Sequence, residues 1–453
     1  MLETYLFKLM DNYPVLFHKQ YYLKKTGCSS KRDQLPYRKI ISVSTLESQQ
    51  RQQQQQQQTL TGKNEKQIEK TAIIFHFHVF QLENLNSFFD VCLSTINEKI
   101  KEFCQHFPST WIETTLIITY CRSRAKCFSY QKYQKLFTHV SLLLCNNCGM
   151  DIGAKMCCVH YLQKNLREKM EQNSIENRNC DPMIFFFHSK RNSSERERLI
   201  NPFYNYFDEF LHLEICRPSN SKDSTTCSMI LSENIQIGDI PGIVHEYSDR
   251  SKSFEYNSEY SHELLSYATN NKFDFTEKFG FAFPEGSFFG LRMSLAFQLY
   301  CRNDDYFWNL YETLNDDSSF DFLWFTRVYK KEMNGLHINA SDIESVTNFF
   351  QREKSRHGSC MFGNNLTTRN PGSNPNGIFP DGMVEHAFER VPLAFALLKS
   401  NDDIHILGTL NCFHSINMCR SHNNHTKSGR SLNSLCAYIN NDHRQELISS
   451  IVK

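Results

Sequence analysis

The stretch that decides the fold is residues 141–154, Ser-Leu-Leu-Leu-Cys-Asn-Asn-Cys-Gly-Met-Asp-Ile-Gly-Ala. Residues 141–145 are an apolar run that predicts a buried strand, and two asparagines and Gly149 form a turn that ends it. Residues 155–170 carry apolar side chains at helical spacing, and Asp151 lies close enough to their start to cap the helix. In an open α/β sheet this arrangement is typical of a sugar-nucleotide or phosphate site. The alternative is an ordinary capped helix.

The flanking segments continue an alternation of strands and helices. Residues 72–80, 114–120 and 183–187 are short apolar runs rich in β-branched or aromatic side chains, which predicts strands. Residues 85–107 have helical spacing between the first two of these runs. The order predicts an α/β fold, in which a mostly parallel sheet carries helices on both faces and a mainly helical C-terminal part follows.

Composition divides the chain into four parts. Residues 1–70 include a Gln-rich tract and have too little apolar surface to order, so we predict a disordered leader. Residues 71–292 form the α/β domain, and residues 293–400 form a helical part that completes its cleft. Residues 401–453 are predicted to be an irregular tail rich in Cys and His.

Overall charge and cysteine usage restrict the function. The 453 residues include 50 basic and 49 acidic side chains, which argues against a general binder of nucleic acid or membrane surfaces. The first thirty residues lack a signal-peptide pattern, and no stretch reaches the roughly 18 apolar residues of a membrane helix. We therefore expect a cytoplasmic protein whose 17 cysteines are mostly buried thiols.

Five short blocks occur in an order that has a known precedent. They are residues 73–80, 147–153, 187–190 with Arg198 after them, 283–289 and 381–390, and together they span about 320 residues. In this order they resemble the rhamnan synthesis protein F-like family. The last block, Asp-Gly-Met-Val-Glu-His-Ala-Phe-Glu-Arg, is the most specific of the five.

The resemblance implies a glycosyltransferase of GT-A-like fold that acts in polysaccharide biosynthesis. Residues 71–292 would then bind a nucleotide sugar, and a sugar such as rhamnose would move to a glycan or lipid-linked glycan acceptor. No nucleic acid is expected as a partner, and an association with the membrane periphery stays open. The Gln-rich leader, the aromatic-rich middle and the Cys/His-rich tail depart from the family pattern.

The donor side is expected at the first three blocks. His78 belongs to the block that resembles the family's opening strand, and Asp151 and Gly153 belong to the one that resembles its Asn-x-Gly-x-Asp-hydrophobic-Gly block. We assign all three to donor binding, with Asp151 placed to accept hydrogen bonds from ribose hydroxyls. At the end of the strand 183–187, His188 and Lys190 stand where many GT-A enzymes have a metal-binding Asp-x-Asp pair. For His78, a core histidine is the alternative.

Cations after that strand suggest how the leaving diphosphate is stabilised. Lys190, helped by Arg191 or Arg198, would neutralise its charge without a metal, the alternative being a solvated basic loop. No metal ligand is predicted, because the nearest acidic pairs, at 304–305 and 316–317, lie outside the core strands. A requirement for Mn or Mg stays open.

The acceptor side is expected on the helix after Pro380. Asp381, Glu385 and Glu389 follow one another at four-residue intervals, so they share one face of that helix. One of these carboxylates, first Glu385 and then Asp381, is the candidate base for the acceptor hydroxyl. His386, Glu389 and Arg390 would contact acceptor or phosphate. A buried ion-pair network that fixes the helix is the alternative.

Glu285 is a further candidate base. Pro284 and Gly286 place it in a turn beside the predicted cleft. An exposed turn glutamate without a catalytic role is equally consistent with the pattern.

Two other functions remain open at this stage. One is a non-catalytic protein that binds glycans or nucleotide sugars on the same fold. The other is a zinc-dependent nucleic-acid binder, since two groups of residues have partial zinc-ligand spacing. These groups are Cys145, Cys148, Cys157, Cys158 and His160, and, in the tail, Cys412, His414, Cys419, His422 and His425.

Overall fold

The structure is a computed structural model and describes part of the chain. The described residues are 8–25, 30–44, 69–79, 85–108, 110–121, 133–146, 148–173, 181–188, 207–208, 210–212, 228–237, 248–270, 282–284, 288–314, 330–340, 342, 344–346, 348–349, 352, 384–399, 404–411 and 435–439.

These residues form a mixed α/β fold. The strands are β1 (Tyr37–Ser44), β2 (Glu69–Val79), β3 (Thr110–Cys121), β4 (His139–Cys145), β5 (Met183–His188), β6 (Ser228–Ile237), β7 (Ala282–Pro284), β8 (Phe289–Arg292), β9 (Ile404–Asn411) and β10 (Leu435–Ile439). The helices are α1 (Pro14–Lys25), α2 (Leu85–His106), α3 (Met150–Asn173), α4 (Ser248–Thr269), α5 (Met293–Tyr300), α6 (Asp304–Tyr311), α7 (Lys330–Gly335) and α8 (Val384–Lys399). No helix in these ranges combines the length and apolar composition needed to cross a bilayer.

The described strands form one sheet in the order β1-β4-β3-β2-β5-β8-β6-β9-β10, with β7 beside β6. Its centre, β4-β3-β2-β5, is parallel. The strands β1, β8 and β10 pair antiparallel with their neighbours. The strands expected from the apolar runs at 72–80, 114–120, 141–145 and 183–187 are thus found as β2 to β5, which confirms the α/β class.

The order of the central strands reverses at β2. From β2 the chain adds β3 and then β4 on one side, and it returns to add β5 on the other side. The helices follow this reversal, because α2 after β2 and α3 after β4 contribute to different cores. The boundary between β2 and β5 is therefore a topological switch point, where open α/β sheets leave a crevice at the carboxyl ends of their strands.

Alternation along the strands separates the two cores. On the α2 face, Phe75 and Phe77 of β2 stack on Phe185 and Phe187 of β5, with ring centroids 5.6 and 4.8 Å apart. The α3 face takes the residues between them, among which are Ile74, Ile184 and Phe186. Both faces are buried, which explains why these strands are continuous apolar runs.

The N-terminal part contains two ordered elements where we predicted a disordered leader over residues 1–70. The first two N–H groups of α1, at Val15 and Leu16, donate to the Glu263 carboxylate of α4 at 3.1 and 2.6 Å. Phe17 is fully buried against Tyr267. Leu16 and Phe17 thus supply the apolar anchor that a segment of polar average composition needs in order to dock. The Gln-rich tract at 49–58 lies outside the described residues.

The strand β1 is the second ordered element within the segment that we predicted to be a disordered leader. It pairs antiparallel with β4, with a register irregularity between Lys39 and Ile41. Arg38, Lys39 and Ile40 are exposed, so the strand has no strong apolar face that would reveal it in the sequence. Backbone pairing with a buried neighbour is what orders it.

The C-terminal tail also differs from the expectation. Residues 401–453 were predicted to be irregular, yet β9 pairs parallel with β6, and β10 pairs with β9. The block at 283–289 overlaps two strands, β7 and β8, which both pair with β6. Between 293 and 399 the described regular elements are the helices α5 to α8.

Candidate functional site

Polar side chains collect at the carboxyl ends of β2, β3 and β5, at the switch point. His78 of β2 is in register with Thr119 of β3 on one side and with His188 of β5 on the other. His76 lies two residues earlier on the same face of β2 as His78. All four side chains are buried, with exposed fractions of 5% or less.

The threonine joins the two histidines of β2. Its Oγ1 lies 2.9 Å from His76 Nε2 and 3.0 Å from His78 Nδ1, and it donates to the Phe77 carbonyl at 3.4 Å. The adjacent strands hold this arrangement, because their register is fixed along the whole of β2. The histidines are thus positioned by hydrogen bonds and by the sheet.

The turn before α3 brings the start of that helix to the carboxyl ends of β2 and β5. Gly149 has a φ of +65°, which glycine adopts without strain, and its carbonyl accepts from the N–H groups of Ile152 and Gly153. A Cβ on Gly153 would lie 2.0 Å from the Cys148 carbonyl, so this position requires glycine for packing. That steric requirement accounts for Gly153, which was predicted as a donor-binding residue, without a ligand.

We expected the helix to begin at residue 155 with Asp151 as its cap, but α3 begins at Met150 and Asp151 lies in its first turn. Its carboxylate accepts from Lys155 Nζ at 2.6 Å, and the lysine is fully buried. Lys155 Nζ also lies 5.2 Å from the centre of the Phe289 ring. The predicted cap is therefore one half of a buried ion pair, whose two charges stabilise each other where water is excluded.

The histidines are held in their neutral form. Burial, followed by the nearby His78 and Lys155, lowers the pKa of His76 well below its usual value. Burial also lowers the pKa of His78 to about 4, although the Asp151 carboxylate opposes this shift. His188 acts on His76 as well, which places it in the same electrostatic neighbourhood. At neutral pH, His76 and His78 are therefore uncharged beside the Asp151–Lys155 ion pair.

The fully buried Tyr300 of α5 connects the group with α8. Burial and the Asp151 carboxylate raise the pKa of its phenol. Its ring stacks on Phe388, with centroids 6.1 Å apart. Glu385, the first candidate base, lies one helical turn before Phe388 and is 1% exposed. The structure thus brings α8 to the Asp151 side of the sheet.

The remaining predicted residues divide into two sets. On α8, Arg390 is buried and donates from Nη1 to the His386 carbonyl at 2.9 Å, whereas His386 and Glu389 are partly exposed. Their expected contacts with acceptor or phosphate stay predictions. Glu285, Asp381, Lys190 and Arg198 lie outside the described residues.

The structure offers no metal site among the residues it describes. No group of three or more His, Cys, Asp or Glu side chains there is arranged to hold an ion. Cys145, Cys148, Cys157 and Cys158 of the first predicted zinc group are buried thiols, and His160 pairs with Asp304 at 3.0 Å. The second group, in the tail, lies outside the described ranges.

Sequence reasoning missed four members of the group: His76, Thr119, Lys155 and Tyr300. The ion pair of Lys155 with Asp151 could have been predicted, because the lysine follows the aspartate by four residues on a helix. The contact of His76 with Thr119 depends on strand register over 43 residues. The sequence alone does not reveal it.

Comparison of the chain with family models, with characterised proteins and with solved structures found no match.

Proposed function

We propose that this chain is a glycosyltransferase, similar to the rhamnan synthesis protein F-like family, that moves a sugar from a nucleotide donor to a glycan acceptor. The donor would bind at the switch point between β2 and β5, in a GT-A-like α/β domain. The observation that carries the proposal is the convergence of Asp151, His78 and His188 at that edge.

The location supports a ligand site on general grounds. Crevices at the switch point of open α/β sheets are where such folds bind nucleotides. A buried ion pair beside histidines with strongly shifted pKa values is costly to maintain, and such groups concentrate at functional sites. An ordinary core has no need of either feature.

In the proposed reaction, the residues on the donor side and those on the acceptor side have different tasks. Asp151 and the neutral histidines would bind hydroxyls of the donor, and Lys190 and Arg198, which follow β5 in sequence, would meet its diphosphate. Glu385 is the candidate base for an acceptor hydroxyl, because it is a buried carboxyl group on the helix that packs against Tyr300 on the Asp151 side of the sheet. Asp381 and Glu285 are the other candidates.

A non-catalytic protein that binds nucleotide sugars or glycans is a second candidate. One observation favours it: the Asp151 carboxylate is neutralised by Lys155 and is only 10% exposed. A carboxylate held in this way can accept hydrogen bonds from a ligand, but it contributes no net charge to a reaction. The two candidates share one site and differ in turnover.

A transfer assay on the full chain separates them. The protein is incubated with dTDP-rhamnose, UDP-sugars or GDP-sugars and a panel of glycan acceptors, with and without manganese, and products are detected by mass spectrometry. We expect turnover that falls by about a hundredfold in Asp151→Asn, since a polar group placed at the reacting site is typically worth this much.

The matched control is Asp208→Asn. Asp208 is half-exposed, pairs with Lys99 of α2 and lies on the opposite face, so its loss should leave turnover unchanged. Circular dichroism must show that both variants are folded. Equal turnover of the two variants would contradict the assignment of Asp151. Binding of a donor without turnover on any acceptor would favour the second candidate.

A further inference from the structure

Three side chains near one side of the sheet form a hydrogen-bonded chain of their own. Ser44 Oγ lies 2.8 Å from His139 Nδ1, and His139 Nε2 lies 2.6 Å from Glu113 Oε1. They come from three neighbouring strands, because β1 pairs with β4 and β4 pairs with β3. His139 is the first residue of β4, so the three lie at the opposite end of the parallel strands from the proposed donor site. A hydroxyl, an imidazole and a carboxylate in this order are the parts of an activated nucleophile.

The carboxylate determines how the imidazole is used. An ionised carboxylate only accepts hydrogen bonds, so the neutral ring carries its proton on Nε2 and donates it to Glu113. The lone pair of His139 Nδ1 then faces Ser44 Oγ, and the serine hydroxyl donates to it. In that arrangement His139 can take the proton of Ser44 as the oxygen attacks a substrate. Glu113 stabilises the imidazolium that forms.

The strands hold these side chains in place and leave the nucleophile open to solvent. Ser44 is opposite His139 in the register of β1 and β4, so backbone pairing keeps the two side chains together. The side chains of His139 and Glu113 are 21% and 18% exposed, which limits competition from water for their hydrogen bond. Ser44 itself is exposed, and β1 is the outermost described strand on this side of the sheet. A small substrate therefore reaches its hydroxyl directly from solvent.

A second serine on the same strand provides an internal comparison. Ser42 is also exposed and lies on the same face of β1, two residues before Ser44. Its Oγ accepts a hydrogen bond from Ser141 Oγ at 3.2 Å, and that oxygen lies 3.0 Å from the Tyr161 hydroxyl. A hydroxyl is a much weaker base than an imidazole, so this contact does not activate Ser42. Of the two exposed serines, Ser44 has the partner that a nucleophile requires.

We propose that Ser44 is the nucleophile of an acyl-transfer site that reacts with esters of short-chain acids, with His139 as general base and Glu113 as a positioning residue. Ser44 Oγ bonds to the acyl carbon while its proton passes to His139 Nδ1, and the bond to the alcohol of the ester breaks. The alcohol takes that proton and leaves. Water then attacks the acyl-serine and passes a proton to the same nitrogen, which returns it to Ser44 as the acid departs. This activity is independent of the proposed function at the switch point.

Acetylation of the full chain tests the proposal. The protein is incubated with p-nitrophenyl acetate, and the acetyl group is located by mass spectrometry. Ser42 and Ser44 share the tryptic peptide 40–51, whose fragment ions assign the group to one serine or the other. We expect acetylation of Ser44, slowed by about a hundredfold in His139→Gln, since a positioned general base contributes at least this much. Ser42→Ala is the matched control and should leave the rate at Ser44 unchanged.

The variant Glu113→Gln tests the positioning role. Glutamine can donate to His139 Nε2 and so allows the ring to carry its proton on Nδ1, where it no longer acts as a base for Ser44. We expect acetylation of Ser44 to slow by about tenfold to a hundredfold, as the wrong tautomer predicts. Long-range ¹H–¹⁵N spectra of histidine-labelled protein should show the proton moving from Nε2 to Nδ1. A proton that stays on Nε2 with an unchanged rate would contradict the role of Glu113.

Three results would overturn the proposal as a whole. They are an unlabelled Ser44, equal rates of labelling at Ser44 and Ser42, and labelling of Ser44 that His139→Gln does not slow. In each case the three side chains only fix β1 to its neighbours. The comparison of Ser44 with Ser42 is made on the unsubstituted protein, so it decides the question even if a variant fails to fold.

Discussion

The two faces of the central sheet are built from the same strands, yet they differ in chemistry. On the α2 face, β2 and β5 present phenylalanines that stack on each other and pack at steeper angles against Phe207 and Phe210. On the α3 face, the same strands end in histidines beside a buried ion pair. The α2 face has the composition of a core that only stabilises the fold. The α3 face buries polar and charged groups, which lowers stability and which a core alone does not require.

The difference arises from chain topology. Since β2 and β5 lie on either side of the switch point, the helix that begins above their carboxyl ends on the α3 face is the one that carries Asp151 and Lys155. If this account holds, substitutions on the α2 face should change stability alone, and those on the α3 face should change stability and ligand binding separately.

The largest effect is expected from Phe185→Ala on the α2 face. Phe185 is fully buried and its ring contacts those of Phe75, Phe207 and Phe210. Its truncation should lower the free energy of unfolding by about 3–5 kcal/mol, through lost burial and a residual cavity. Urea denaturation measures this. Val91→Ala, at a position 62% exposed on α2, is the control and should change stability by less than about 0.5 kcal/mol.

Next in size is Lys155→Met on the α3 face. It leaves the Asp151 carboxylate buried without its cation, which should cost about 3 kcal/mol. Asp151→Asn combined with Lys155→Met removes both charges and should recover most of that loss. If the double variant is as unstable as Lys155→Met, the pair is not held together by its charges, and the contrast between the faces weakens.

A smaller effect is expected from pH. The pKa of His78 is lowered to about 4 in the folded protein, so the unfolded state binds more protons below the usual value of 6.5. Its contribution to stability is therefore complete above pH 6.5 and is lost as the pH falls towards 4. From about pH 7.5 to about pH 5.5, this one group should lower the free energy of unfolding by about 1.4 kcal/mol.

The check is to compare the wild type with His78→Gln by urea denaturation over that range. The variant should lose less stability on acidification by that amount. Glu263, whose pKa burial raises to about 7, acts in the opposite direction, because its contribution is lost as the pH rises from 4.5 through 7. It is present in both proteins and cancels in the comparison. Parallel pH curves would show that His78 titrates normally.

The smallest change in stability is expected when one tyrosine hydroxyl is removed on each face of the sheet. On the α2 side, the Tyr133 hydroxyl donates to Asp90 at 2.8 Å, so Tyr133→Phe should cost about 1 kcal/mol. On the α3 side, the Tyr300 hydroxyl has no hydrogen-bond partner among the described residues, so Tyr300→Phe should leave stability unchanged or raise it. Thermal unfolding of both variants provides the measurement. A loss in Tyr300→Phe as large as that in Tyr133→Phe would mean that its hydroxyl is already paired.

The sequence predicts a strand or helix only where that element has a local sequence pattern of its own. The strands β2 to β5 are apolar runs with both faces buried, so composition alone locates them. The strand β1 is exposed along much of its length and is held by pairing with β4, which leaves little trace in its residues. The same holds for α1, whose order depends on Glu263 far along the chain.

The site shows the same division. We predicted His78, Asp151 and His188 as site residues because each ends a strand or begins a helix, and parallel strands bring such positions together. The contacts of His76 and Tyr300 depend on strand register and on the docking of α5, neither of which a local pattern specifies. Asp151 was among the predicted residues, but its ion-pair partner Lys155 was not.

The central claim is that a ligand binds on the α3 side of the switch point, and hydrogen exchange tests it most directly. The first amides of α3, at Met150 and Asp151, lie where a helix has no intrahelical acceptors. With saturating dTDP-rhamnose or another nucleotide sugar, mass spectrometry of the full chain should show slower exchange at residues 150–151, with α2 unchanged. Saturated binding that leaves those amides unaffected, or that protects α2 instead, would contradict the account.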